Sequence, residues 1–339
     1  MPKPTRVPIT PEVLTWAIES SGLTPPALAA RLHVEASRVA EWLSGAARPT
    51  VTEFRRLAKL LRRPTATFFL NSPPSLRSPF VEFRAMPGEP AREPLPEERE
   101  RIREVVRLQR SVAWLLEELG EAGPELPVVR ASSNPVGAAT RLRDLLGVSV
   151  EQQLSWQSEY EALRGWRDAL EAAGILVFLL PMGASAARGF SVWHPSAPVI
   201  VANTHWRAAA RIFTLHHELG HLATRTSSIC SEQTLGSRVA EEDGGVERWC
   251  ERFAAALLMP EDAVRSQLRE LAALSPVTDL DTVARLARKF GVSLRAATLR
   301  LIGLQLASWE LYRQVPDSAD NKAAGGGGSG RKSAKGPHR

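Results

Sequence analysis

The run His217-Glu218-Leu219-Gly220-His221 constrains this chain more than any other stretch of it. Residues four apart on a helix share one face, about 6 Å from Cβ to Cβ, so the two imidazoles can hold one divalent ion such as Zn²⁺. Glu218 between them points toward the open side of that ion, where a carboxylate can take a proton from water. The lead-in from Ala208 to Leu215 contains no breaker, and apolar residues recur at 212, 215, 219 and 222, which predicts a helix through the motif. A hydrolytic metal site needs a third protein ligand. Val246 to Met259 reads as a second helix, stopped by Pro260, with Trp249, Cys250, Phe253 and Leu257 as its packing stripe. Glu247 and Glu251 lie one turn apart near the edge of that stripe, and the spacing lets either one reach the ion. Cys250 reads as a small buried hydrophobe rather than a ligand.

These residues carry a family resemblance. From about Ala187 to Pro260 the chain resembles the ImmA/IrrE-type metallopeptidases. The matching pieces are Gly189-Phe190, Ile200 to Asn203, Arg211-Ile212-Phe213-Thr214-Leu215, the 217–221 motif, Glu247 to Ala254, and Leu257-Leu258-Met259-Pro260. The resemblance implies a zincin-like domain in which His217, His221 and Glu247 bind zinc and Glu218 acts as general base. One position departs: Glu251 stands where the family usually has asparagine. The ligand set is borderline in softness, so manganese or iron remains open beside zinc.

Charge is segregated along the chain. Residues 1–70 hold ten Lys and Arg against five Asp and Glu, and residues 317–339 hold five against two, while the rest is nearly balanced. A basic N-terminal segment is the footprint of a nucleic-acid-binding module. Its organisation agrees. Thr10-Pro11 and Thr24-Pro25 each read as an N-cap followed by proline, and Thr50 to Glu53 as a capping box. Leu28 to Leu32, a tight turn at His33-Val34-Glu35, and Ala36 to Leu43 read as helix, turn, helix. The segment Ile9 to Leu70 resembles the XRE/Cro-type repressor fold. That resemblance makes Ser37 and Arg38 the candidates for base edges, and Arg48, Arg55 and Arg56 those for phosphates. Glu35 and Glu41 on the would-be recognition helix oppose DNA binding, and His33 occupies a turn position where glycine is common.

Seven prolines between residues 71 and 96 predict an extended spacer. A charged helix follows at about 97–119, then helices at about 135–146 and 155–173. A strand is expected at 174–179, and a hairpin from 189–193 and 199–202. Residues 261–315 read as helical, with Gly291 and Ser293 as caps of a packed hairpin. The fold class is therefore α+β, mainly helical: a five-helix N-terminal unit, then a domain with a small antiparallel sheet beside the metal helix and a helical C-terminal part. The expected division is 1–70 helix-turn-helix domain, 71–96 linker, 97–315 metallopeptidase domain, and 316–339 disordered basic tail.

With 44% hydrophobic residues, two separated cysteines, no run of eighteen apolar residues and no apolar stretch at the start, a cytoplasmic protein with no membrane contact is expected. The partners expected are DNA through the N-terminal domain, a protein substrate, and a second copy through the helix-turn-helix. The resemblance implies a narrow task, cleavage of a cognate XRE-type repressor that frees stress-response or mobile-element genes. The alternative is a helix-turn-helix regulator, of antitoxin or phage-repressor type, whose metal domain senses rather than cuts. His205, His216 and Arg211 are candidates to stabilise the oxyanion.

Overall fold

A capped helix start at Thr24, a left-handed turn and a capping box set the N-terminal unit, while Thr10 stands before its helix without a side-chain cap bond. A computed structural model describes residues 5–74, 95–226, 228–230, 245–273, 275–316 and 319. Most of the proline-rich stretch and nearly all of the expected tail lie outside these described residues. The unit contains α1 (Pro11–Ser21), α2 (Pro25–Leu32), α3 (Ala36–Ser44), α4 (Val51–Leu60) and a 3-10 helix (Thr65–Phe69). The Thr24 hydroxyl accepts from the Ala27 amide, and Thr50 and Glu53 satisfy each other's amides. His33 adopts φ 57°, so a histidine fills the left-handed turn that glycine usually takes. Leu14, Leu28, Val39, Trp42, Leu57 and Phe68 form the buried centre.

A 23-residue helix, α5 (Pro96–Glu118), joins this unit to the rest. On its first turns Arg103 donates to the Ser20 carbonyl and Glu100 pairs with Arg62. Its buried face carries Ile102, Val105 and Val106, which pack on the sheet, and Gln109 Nε2 donates to the carbonyls of Val192 and Ala197, each at 2.9 Å.

The sheet contains β1 (Leu176–Leu180), β2 (Gly189–Val192), β3 (Val199–Asn203) and β4 (Ser228–Cys230), in the order β1-β3-β2-β4. The expected hairpin is present as the antiparallel pair β2–β3, and β4 adds antiparallel to β2. The first strand corrects the antiparallel expectation: β1 pairs parallel with β3. Its place at the outer edge of β3, with β2 on the other side, gives it the direction of β3 and makes the sheet mixed. The two-residue period then assigns the faces. Phe190, Val192, Val199 and Val201 meet α5, while Ile200 and Ala202 join the larger core on the opposite side.

That opposite side holds α9 (Ala208–Ala223), every residue of which is buried. Around it stand α6 (Pro135–Leu146), α7 (Val150–Ser155), α8 (Glu159–Ala172) and α10 (Gly245–Leu258). A helix enclosed on all sides is positioned by close contacts, and two glycines permit them. A Cβ on Gly189 would lie 2.4 Å from the Val201 oxygen and 2.5 Å from Thr214 Cγ2, so glycine lets β2 approach both β3 and α9. A Cβ on Gly220 would lie 3.0 Å from Cys250 Sγ, which sets the crossing of α9 and α10.

The C-terminal part is α11 (Glu261–Glu270), α12 (Leu280–Phe290), α13 (Leu294–Gly303) and α14 (Trp309–Arg313). Gly291 closes α12 at φ 66° and the Ser293 hydroxyl caps α13. Leu286, Phe290 and Leu301 enter the same core as α9, so this pair closes that core. Three buried side chains also take up the last carbonyls of α10, which no helix can satisfy internally. Arg143 Nη1 donates to Leu257 at 2.7 Å, Gln153 Nε2 to Leu258 at 3.0 Å, and Arg300 Nε to Met259 at 2.8 Å. Cationic groups at a helix C-terminus also suit its dipole. Helix α10 is thereby fixed along its axis, and with it Glu247.

Candidate metal centre and helix-turn-helix surface

His217 and His221 project from α9 toward α10, where Glu247 meets both. His217 Nε2 lies 3.1 Å from Glu247 Oε2, His221 Nε2 lies 3.0 Å from Glu247 Oε1, and the two Nε2 atoms are 3.2 Å apart. Donors about 2.05 Å from a tetrahedral ion lie about 3.3 Å from one another. All three separations are close to that value, and two imidazoles with one carboxylate are a catalytic zinc donor set, so the residues fit the ion. Spacing alone left Glu247 and Glu251 open as reachable carboxylates, and the resemblance implied Glu247; the geometry brings Glu247 to the histidines. Glu251 sits one turn on and acts through its charge.

The electrostatics follow from this packing. Burial works against a charged His217, but the hydrogen bond and charge of Glu247, with Glu218 and Glu251 nearby, raise it to about 9. Burial also opposes the Glu247 carboxylate; the charge of His221 and the hydrogen bonds from both histidines overcome it and hold the group well below the usual range.

Two further side chains orient the motif, and the sequence reading missed both. Ser191, fully buried on β2, donates from Oγ to Glu218 Oε2 at 2.7 Å. Thr226 Oγ1 lies 3.0 Å from His221 Nδ1, 3.2 Å from the His221 carbonyl and 3.0 Å from Thr224 Oγ1. A hydroxyl that accepts Nδ1–H frees the Nε2 lone pair for an ion once the Nε2 proton shared with Glu247 has left. A signal for Ser191 was present. It is the polar residue two positions after Gly189, on the strand face that Gly189 brings against α9.

The oxyanion candidates fare differently. His216 turns to α8, where its ring meets Trp166 at 4.4 Å and its Nδ1 bonds the Ile212 carbonyl at 2.8 Å. Burial lowers its pKa to about 4, so it is a neutral packing group away from the triad. His205 is exposed beside Trp206, and Arg211 is buried two turns before Glu218 with its pKa lowered by burial. Cys250 is fully buried against Gly220.

On the N-terminal unit, Ser37, Arg48, Arg55 and Arg56 are exposed. Arg38 is instead engaged within the unit: its Nε donates to Glu53 Oε1 at 3.4 Å, and Nη1 lies 3.6 Å from Glu41. One of the two base-edge candidates is therefore tied to a capping carboxylate.

Residues 170–301 match a peptidase family model described as an IrrE N-terminal-like domain, and residues 14–68 match one described as a helix-turn-helix domain. No curated protein matches the chain. The first match supports peptidase chemistry in the region that contains the triad, and the second supports DNA binding by the N-terminal unit. Among the described residues, no helix is long and apolar enough to cross a membrane.

Proposed function

We propose that this chain, which joins a helix-turn-helix region to a peptidase-family region, is a zinc-dependent endopeptidase that acts on a DNA-bound regulator. The reading rests on one observation: both oxygens of Glu247 meet the two motif histidines, 3.0 and 3.1 Å away, beside a glutamate held by Ser191. His217, His221 and Glu247 would hold the zinc. Bound zinc polarises a scissile carbonyl and makes a water molecule more acidic. Glu218 accepts the proton of the attacking water and returns it to the departing amine. Ser191 fixes which carboxylate oxygen does this, since Oε2 accepts its hydroxyl. Thr226, by accepting Nδ1–H, would hold His221 with its Nε2 lone pair toward the zinc.

The substrate we propose is an XRE-type transcriptional repressor, whose cleavage releases stress-response or mobile-element genes in the cytoplasm. The N-terminal unit brings the peptidase to the same DNA. Ser37 and Arg38 face bases there, with Arg38 exchanging Glu53 for its target, and Arg48, Arg55 and Arg56 face phosphates. The test is incubation of the zinc-loaded chain with such a repressor. A cleaved product that Glu218→Gln abolishes, at unchanged metal content, supports the reading. Repressor left intact by both, with specific operator binding by this chain, overturns it in favour of a regulator whose metal domain senses.

A further inference from the structure

Helix α5 buries one face on the sheet and leaves a second apolar row in solvent. Leu108, Val112, Leu115 and Leu119 are spaced four, three and four residues apart, the alternation that lines a coiled-coil seam. Leu108, Leu115 and Leu119 are 44%, 49% and 65% exposed, and Trp114 beside them is 61% exposed. The apolar surface continues past Leu116 into a recess of about 470 Å³ lined by Leu145, Ala169 and Ala172. Scattered exposed leucines need no explanation; a contiguous row at seam spacing does.

We propose that this row is the interface of a homodimer, in which α5 of a second copy packs antiparallel across a twofold axis near Ala113 and Trp114. Two features of the row select a second copy as the occupant. It is self-complementary under that rotation, because Leu108 falls opposite the second copy's Leu119 and Val112 opposite its Leu115. A twofold interface requires such self-matching. The flanking charge agrees. Arg107 and Glu118 are exposed, lie within about 20° of each other around the helix axis, and form no ion pair with a described residue of their own chain. Antiparallel packing sets Arg107 of each copy at the level of Glu118 of the other, on the same side of the seam. The surface lies on the joining helix, distinct from the helix-turn-helix unit through which the sequence alone suggested pairing.

The test is sedimentation velocity on the full chain across a concentration series. The wild type is expected to form a dimer. Leu115→Glu, at a half-exposed position, should weaken it by roughly tenfold or more. Arg107→Glu and Glu118→Arg should each weaken it, and the two reversals in one chain should restore it. Restoration needs a folded protein, so it separates a lost contact from a lost fold. A wild type that stays monomeric, a dimer indifferent to Leu115→Glu, or a double reversal no better than the single ones would overturn the proposal.

Discussion

The metal centre and the helix-turn-helix surface hold their polar side chains in opposite ways. In the first, His217, Glu218 and His221 are fully buried, and each has a partner supplied by another element: Glu247 from α10, Ser191 from β2, Thr226 from beyond the helix end. In the second, Ser37, Arg48, Arg55 and Arg56 stand in solvent, and Arg38 is engaged by Glu41 and Glu53. A reaction needs groups fixed before the substrate arrives, since misplacement costs rate. Binding to a charged polymer needs groups that are free to meet it. The first region is therefore expected to respond sharply to single changes and the second gradually.

The sharpest break is Glu218→Gln. It should lower peptide cleavage by about 10²–10⁴-fold while leaving zinc content and DNA affinity unchanged, which kinetic assays and operator titration measure together. Next come the orienting residues. Ser191→Ala should lower kcat, and Thr226→Val should weaken zinc binding, each by roughly 10–100-fold; a competition titration with a chelator separates the two effects. On the other region, Arg56→Ala should weaken binding to all DNA sequences alike and reduce the salt slope by about one. A loss confined to one operator position would instead assign Arg56 to a base.

The smallest effect is one of pH. With no ion bound, His217 is raised to about 9 from an ordinary 6.5, so its contact stabilises the fold fully below the ordinary value and is lost as pH rises toward 9. Glu247 is depressed from an ordinary 4.5, so its contribution is present above that value and is lost as pH falls through its native pKa. Metal-free protein should therefore melt highest between about pH 5 and 6.5 and lower toward pH 9. Zinc uptake at neutral pH should release a proton from His217, which calorimetry in buffers of different ionisation enthalpy would register. Equal melting temperatures across that range would contradict the Glu247 contact.

Legibility from the sequence divides along the same line. The 217–221 motif, the capping box at Thr50 and Glu53, the turn at His33 and the caps at Gly291 and Ser293 were readable because each depends on residues within a few positions of one another. Glu247 was legible only as what the family resemblance implied: spacing could not choose it over Glu251, because one helical turn separates them and the crossing at Gly220 and the clamp at Leu257, Leu258 and Met259 place it at the histidines. The parallel pairing of β1 and the added strand β4 depend on long-range contacts that strand periodicity does not encode. Thr226 lies past the end of α9, where local patterning carries no information about the side chain it meets. His216 was legible as turned about 100° from the motif face, but not as a packing group; its contact with Trp166 of α8 decides that.

The most direct test of the metal assignment is elemental analysis of the purified full chain and two variants. The geometry predicts about one zinc per chain in the wild type, retained in Glu251→Gln and lost in Glu247→Gln. Zinc that survives Glu247→Gln, or that leaves with Glu251→Gln, would contradict it.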